Sequence, residues 1–503
     1  MSPVERVRVP SSRAAVSALT LGTVASQLVL LAASAALARL FTPQEFGEFS
    51  VALAISTVIA VVATMGFEAA IPLAETDDEA AAIARLSLVC AASTALLVTV
   101  VLALGWAVEG SGWSRIDAGP GIWTIPPTAF AIAAWSSLRM VQSRAGRFTQ
   151  VSIAGVGGSV VQSASQLGAG LLGGGAVWLA LGYLAGRSAN VVSLARRAAL
   201  SWRSGTRNEL YATARTWRRF PVYLAVPAVL NAVSVGAVAP AVALVYGLMF
   251  SGAFAFAARI LAVPSALLGQ AIATVFYPRA AAMERDGVDV ASLMLRTATG
   301  LFMLAVPAFG TVLLLGPELF ELIFGPQWRE AGLIAAALAP WLAISFVSSP
   351  LSGYATIKNQ LGRLLILSVV ESALRLAALS VGVISTPILG VMAYSSVGLL
   401  ICSCYIGWFL RLAGSSLHEW ALSLRTYISV VLVAYPSCLL LKGHLPTSVY
   451  VAAAATLTLA LLGSARRELG HSRGGAQGDG NAGSGRQAET SADYAGPEKR
   501  IRL

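Results

Sequence analysis

Fourteen stretches of this chain are apolar over about the length needed to cross a lipid bilayer, and no other feature limits the fold as strongly. The hydrocarbon core is about 30 Å thick and takes about 20 residues of helix. Within it every backbone N–H and C=O must be satisfied internally. The stretches fall at 15–40, 46–72, 82–108, 122–142, 150–172, 176–195, 221–245, 248–276, 291–315, 332–355, 363–385, 388–410, 427–441 and 448–464. They are continuous runs rather than alternating ones, so they read as helices. The expected fold is an all-α polytopic membrane protein of about 14 transmembrane helices, the last two being short. Composition agrees. Of 503 residues, 56% are hydrophobic and 12% charged, whereas a soluble domain carries about 25% charged residues. A soluble enzyme is thereby excluded.

The net charge of +11 could signal nucleic acid or anionic lipid, and the positions of the bases decide. With the N-terminus in the cytoplasm, 27 of the 35 Lys and Arg residues fall in inside loops and tails. Only Arg115, Arg329 and Lys442 fall outside, and Arg39, Arg187, Arg259, Arg296 and Arg375 lie in or at the ends of spans. Positive loops resist translocation, so both termini are expected inside, and no nucleic-acid partner is needed. The first run reaches Ala33-Ser34-Ala35 and could be read as a cleavable signal peptide, but it is long and thirteen more runs follow. Cys90, Cys402, Cys404 and Cys438 all fall inside spans, and His418, His444 and His471 are scattered. Neither a disulfide, a metal site nor a cofactor is expected.

The chain divides into a cytoplasmic tail (1–14), a first lobe of six spans (15–195), a basic linker (196–220), a second lobe of six spans (221–410), an interfacial segment (411–426), spans 13 and 14 (427–464) and a Gly-, Arg- and Ser-rich tail (465–503) expected to be disordered. In the linker Trp202, Leu210, Ala214 and Trp217 recur at helical spacing among arginines. That pattern suits an amphipathic helix on anionic headgroups or a solvated linker. Residues 411–425 repeat it more weakly. Glu318 to Phe324 could lie flat as an interfacial helix.

The lobes echo each other. A shift of 205 residues brings Phe41 onto Tyr246, Gly47 onto Gly252, Phe49 onto Phe254, Ala52 onto Ala257 and Ile55 onto Ile260. A glycine at such a tight junction lets two helices approach closely. Repeats of this parallel kind build transporters around a central pathway.

Several segments carry a resemblance. They are Leu37-Ala-Arg-Leu-Phe-Thr-Pro-Gln-Glu-Phe-Gly47, Gly66-Phe-Glu-Ala-Ala-Ile71, Phe220-Pro-Val-Tyr223, Ala258-Arg-Ile-Leu-Ala-Val-Pro264, Phe276-Tyr-Pro-Arg279, Gly316-Pro-Glu-Leu-Phe320, Phe324-Gly-Pro-Gln-Trp-Arg-Glu-Ala-Gly332 and Ala339-Pro-Trp341. Over roughly residues 15–410 the chain resembles the bacterial polysaccharide repeat-unit (O-antigen type) flippases of the multidrug/oligosaccharidyl-lipid/polysaccharide (MOP) exporter superfamily. The resemblance implies two six-helix lobes around a cavity open alternately to either side, in the bacterial inner membrane. The implied cargo is an undecaprenyl-diphosphate-linked oligosaccharide, and the implied partners are membrane lipids and, further off, a glycan polymerase and a chain-length regulator.

An Arg at mid-bilayer costs about 2.5–3.5 kcal/mol on insertion scales, so it normally faces a wet cavity or a partner. Arg187, Arg259 and Arg375 sit midway along spans 6, 8 and 11 and suit an anionic diphosphate, because guanidinium pairs with phosphate through two hydrogen bonds. Glu371 and Arg375 are i,i+4 and can also neutralise each other. Glu68 and Glu371 are the candidates for ion coupling or pairing. Gln27, Asn231 and Gln270 are candidate sugar contacts, with Gln162 and Gln166 behind them, and each serves equally well as a helix–helix contact. Related drug/cation antiporters place an acid deep in span 1 or 7. This chain has Ser26, Gln27 and Asn231 there, which leaves the energy source open. The rival functions are a drug/cation antiporter, a flippase for the peptidoglycan precursor, and more remotely a glycan polymerase or ligase. Nothing in the sequence forms a nucleophile constellation or a phosphate loop, so no enzyme is expected.

Overall fold

The computed structural model describes residues 12–107, 119–197, 207–218 and 226–425, with isolated positions at 427–429, 431 and 456. Among them helix dominates and no strand occurs. The first lobe contains α1 (Ser12–Leu40), α2 (Pro43–Ala63), α3 (Asp77–Ala107), α4 (Ile125–Arg144), α5 (Phe148–Leu171) and α6 (Ala176–Arg197). A short α7 (Arg207–Thr216) follows. Span 7 is divided into α8 (Val226–Gly236) and α9 (Val238–Tyr246). Span 8 is α10 (Leu248–Pro264), one π-helical turn at Ser265–Gly269, and α11 (Gln270–Arg285). The second lobe is completed by α12 (Ala291–Phe324), α13 (Arg329–Leu351) with the short α14 (Gly353–Ile357), α15 (Leu361–Ala378) and α16 (Pro387–Leu412), followed by α17 (Leu417–Ser423). The 1–11 tail, spans 13 and 14 and the C-terminal tail lie outside the described residues, isolated positions apart.

Nine of the described helical stretches are long and apolar enough to cross a membrane. Helices α4, α5 and α6 are as long but less apolar. They carry Arg139, Gln142, Gln162, Gln166, Arg187 and Asn190 in place of aliphatic residues. The chain is an all-α polytopic membrane protein whose polar burden is concentrated in three consecutive helices.

The Thr42-Pro-Gln-Glu45 segment starts α2. The Thr42 hydroxyl accepts from the Glu45 N–H at 3.3 Å, and the Thr42 N–H donates to Glu45 Oε2 at 2.7 Å. This reciprocal capping box satisfies two otherwise orphaned donors, with proline at the first turn where its missing N–H costs nothing. Gly47, one turn further on, sits against the Leu248 carbonyl and Gly252 N, while Gly252 sits against the Pro43 carbonyl and Gly47 N. The contact is reciprocal, with each glycine meeting the other repeat's helix start, as a two-fold interface requires. The glycines matched by the internal repeat therefore touch each other, and α2–α10 is the most extensive contact between the lobes.

The same end, where α1 finishes and α2 starts, is closed by the Gly325-Pro-Gln-Trp328 turn between α12 and α13. Trp328 is fully buried, and its Nε1–H donates to the Ala38 carbonyl at 2.6 Å. Gln327 Nε2 donates to Ala38 and Phe41 at 2.6 and 3.3 Å. These donors satisfy carbonyls left unpaired at the α1 C-terminus. Around them Phe46, Phe256, Phe320, Phe324 and Trp328 stack, with centroids 4.2–6.3 Å apart.

Two sequence expectations are corrected. Residues 318–324 do not form a separate flat helix. They are the last two turns of α12, which continues through Pro317, and Phe320 and Phe324 are buried in the core. The linker does form an amphipathic helix, but its apolar face lies on protein rather than on headgroups. Leu210, Ala214 and Trp217 pack on Phe67, Ile71 and Ile83 of the first lobe, and Trp217 Nε1 donates to Glu79 Oε1 at 3.2 Å. In the 411–426 segment, Trp420 and Leu424 are likewise buried, the Trp420 ring lying 5.5 Å from that of Phe302.

Candidate functional site

Two cavities lie side by side and share Gln27, Leu30, Gln162 and Arg187. The larger, about 690 Å³, lies between the lobes and is mostly apolar. Phe46, Phe49, Leu53 and Val61 of α2 face Val235 of α8 and Val263 of α10 across it, and Arg259 and Asn231 add polar groups. The smaller, about 410 Å³, belongs to the first lobe and is polar, lined by α1, α4, α5 and α6.

Arg187 stands where the cavities join. Its Nε donates to the Tyr183 hydroxyl at 2.9 Å, and its guanidinium lies 5.1 Å from that ring's centre. Tyr183 is in turn within electrostatic reach of Arg259 on the facing lobe. The two arginines thus line one cavity from opposite lobes. No Asp or Glu is among the described lining residues of either cavity, so the positive charge is not cancelled inside it.

The other six of the eight residues singled out from sequence do not all share that cavity. Gln27 lines both cavities and Asn231 the larger. Gln270 opens α11, and its side chain lies outside the described residues. Glu68 sits in a short 3-10 turn (Phe67–Ala69) beyond α2, apart from the cavity lining, with Oε2 buried and unpartnered. Arg375 does not join Arg187 and Arg259. Its NH1 donates to Glu371 Oε1 at 3.0 Å, its guanidinium is stacked 3.7 Å from the Trp341 ring centre and 4.2 Å from that of Tyr394, and its NH2 bonds the Tyr394 hydroxyl. The pair is sealed inside the second lobe, with side chains 11% and 14% exposed. Glu371 is accordingly a pairing residue here. Gln166 bridges helices, donating to the Leu179 carbonyl at 2.8 Å.

Arg139 is a cavity residue that loop counting concealed. Grouped with Arg144 and Arg147 as a positive-inside base, it lies instead within α4, facing the polar cavity within electrostatic reach of Arg187. The available signal was its place five residues before the helix ends at Arg144, about 7.5 Å along the axis.

At the opposite end of the molecule, where α1 begins, each lobe ties its own loops. Arg144 donates to the Ala74 carbonyl at 2.5 Å and pairs with Asp77 at 3.4 Å. Lys358 and Tyr354 bond Glu284, and the Lys358 hydrogen bond is the main influence holding that carboxyl below its ordinary range. Among the described residues no group of His, Cys, Asp and Glu could hold a metal ion.

Two six-helix lobes thus enclose a cavity lined by arginines from both. The sequence profile of the family described as "polysaccharide biosynthesis protein" matches residues 36–332, and the chain belongs to that family. No curated protein matches the sequence. Among solved structures the fold is similar to the lipid II flippase MurJ in an inward closed conformation, at TM-score 0.65 and 11% identity over 90% of this chain and 99% of that one. It is also similar to an inward-facing MATE multidrug transporter of the MOP superfamily, at TM-score 0.59 and 16% identity over 77% and 95%. A third is a MOP superfamily transporter from Pyrococcus furiosus, described as having a binding pocket of reversed polarity, at TM-score 0.53 and 16% identity over 82% and 99%. At these identities the likeness concerns the fold.

Proposed function

We propose that this transporter flips an undecaprenyl-diphosphate-linked oligosaccharide from the cytoplasmic to the periplasmic leaflet of the bacterial inner membrane, for O-antigen, capsule or exopolysaccharide assembly. The supporting observation is the pair Arg187 and Arg259, facing one cavity from opposite lobes with no carboxylate among the described lining residues. An uncancelled pair of guanidiniums in a low-dielectric cavity is costly when empty and favourable with a diphosphate between them. The apolar wall of the larger cavity suits the first prenyl units, and the polar cavity suits sugars. A cationic drug would meet repulsion in the same place.

Orientation follows from the distribution of arginines, which puts both termini in the cytoplasm. With that orientation the closed end, at Gly47, Gly252 and Trp328, faces the periplasm. A polymerase acting on the delivered unit is the natural downstream partner. The test is Arg259→Ala in the native host with expression matched to wild type. Surface polysaccharide should be lost while the lipid-linked unit accumulates on the cytoplasmic leaflet. Normal polysaccharide, or drug sensitivity alone, would overturn the assignment.

A further inference from the structure

Resting on the diphosphate reading of Arg187 and Arg259, we propose that the polar cavity of the first lobe is a separate subsite for an anionic sugar of the cargo, and that Arg139 reads its carboxylate.

The first argument is charge. A diphosphate esterified at both ends keeps one acidic oxygen, and so one negative charge, on each phosphorus. Arg187 and Arg259 match that charge. Arg139 is a third guanidinium beside Arg187, without an ion-pair partner among the described residues and with no carboxylate among the described lining residues. Like charges held together in a membrane interior repel, so Arg139 calls for one further negative charge. Because Arg139 lines only the polar cavity, that charge sits to one side of the diphosphate rather than on it.

The second argument is what surrounds Arg139. Asn190 is only 4% exposed, lines this cavity, and its Oδ1 is buried without a donor. A buried amide oxygen left unpaired costs about 1–3 kcal/mol, so an occupant that donates a hydroxyl is favoured there. Gln162 and Ser159 lie on the same wall. The position of Asn190 is built rather than incidental: a Cβ on Gly158 would collide with its carboxamide, and one on Gly186 would lie 2.6 Å from Gln162 Cβ. Glycines at these two positions let α5 and α6 close until both amides reach the cavity. Hydroxyl-bearing, carboxylate-bearing and joined to a diphosphate at the Arg187 edge, the occupant is a uronic-acid-type sugar near the reducing end of the glycan.

The test uses the full chain, purified in lipid nanodiscs, with UDP-glucuronate and UDP-glucose as soluble probes. Both carry a diphosphate and the same uridine, so their affinity ratio isolates the sugar carboxylate. Wild type should prefer UDP-glucuronate by about tenfold, the scale of one charge-assisted paired contact. Arg139→Gln should bring the ratio to about one. Arg139→Lys, which keeps the charge but not the planar fork, should lower it at least about threefold. Arg259→Gln should weaken both probes together and leave the ratio intact. A wild-type ratio near one, or a ratio that survives Arg139→Gln, overturns the subsite. Unchanged binding of both probes in Arg259→Gln overturns the diphosphate assignment instead, so the two failures are separable.

Discussion

Gly252→Ala should push the transporter out of the state in which the α1–α2 end is closed. A Cβ on Gly252 would lie 2.6 Å from Gly47 N and nearer still to the Pro43 carbonyl oxygen. Non-bonded contacts to carbon are optimal near 3.5 Å, so α10 must retreat by about 1 Å or more. These are backbone atoms of a capped helix start and cannot rotate away. Overpacking of this kind costs about 1–3 kcal/mol. Only the state in which α2 and α10 touch bears that cost, so its population should fall by about 5- to 150-fold relative to the opposite state. Spin labels at Gln44→Cys and Leu322→Cys, both exposed and on different lobes, report the separation once the four native cysteines are replaced by serine. Gly252→Ala should lengthen the measured distance, Gly47→Ala should do the same, and the double variant should add little because both remove one contact. A distance distribution identical to wild type in monodisperse Gly252→Ala protein would refute the reasoning.

Trp328→Phe removes one of the two side-chain donors to the Ala38 carbonyl, leaving that of Gln327. It should weaken the same closure by about 1 kcal/mol, moving the same label pair in the same direction, whereas no movement would remove Trp328 from the closure. Arg375→Met strands Glu371 inside the second lobe. In a double-mutant cycle with Glu371→Gln, read by thermal unfolding in detergent, the coupling should be about 1–3 kcal/mol, and a value near zero would contradict the buried ion pair. Glu284 has a depressed folded-state pKa, so its stabilising link to Lys358 is present above the unfolded value of about 4.3 and is lost as pH falls through the folded one. The gap in melting temperature between wild type and Glu284→Gln should therefore be open near neutral pH and close on acidification. A gap that stays constant or widens on acidification refutes the link.

Much of the architecture was legible because bilayer burial leaves few alternatives. Run length places the helices, and the aromatic–glycine pattern marks the pair of helix starts that meet across the lobes. Arg187 and Arg259 were legible for the same reason, since charge so deep in a span needs a cavity or a partner. Arg375 satisfied that rule by the other route. The ambiguity was inherent, because its aromatic neighbours Trp341 and Tyr394 come from α13 and α16, far away in sequence. Arg139 was hidden by its nearness to Arg144 and Arg147, and only its depth of five residues inside the helix end sets it apart. Several family-like motifs proved to be joinery, although Arg259 and Phe46 lie in two of them and line the cavity. Thr42 and Glu45 cap a helix, and Gln327 and Trp328 finish another, while the residues facing the cavity fall mostly outside those motifs.

The unusual polarity of α4, α5 and α6 bears on how the chain enters the membrane at all. Each carries groups that are unfavourable for insertion one helix at a time, with an arginine near the bilayer centre adding about 2.5–3.5 kcal/mol. Packed together they satisfy part of that polarity internally, Gln142 bonding the Leu194 carbonyl and Gln166 that of Leu179. The side chains that line the cavity are thus also the ones that make α4 and α6 costly to insert singly.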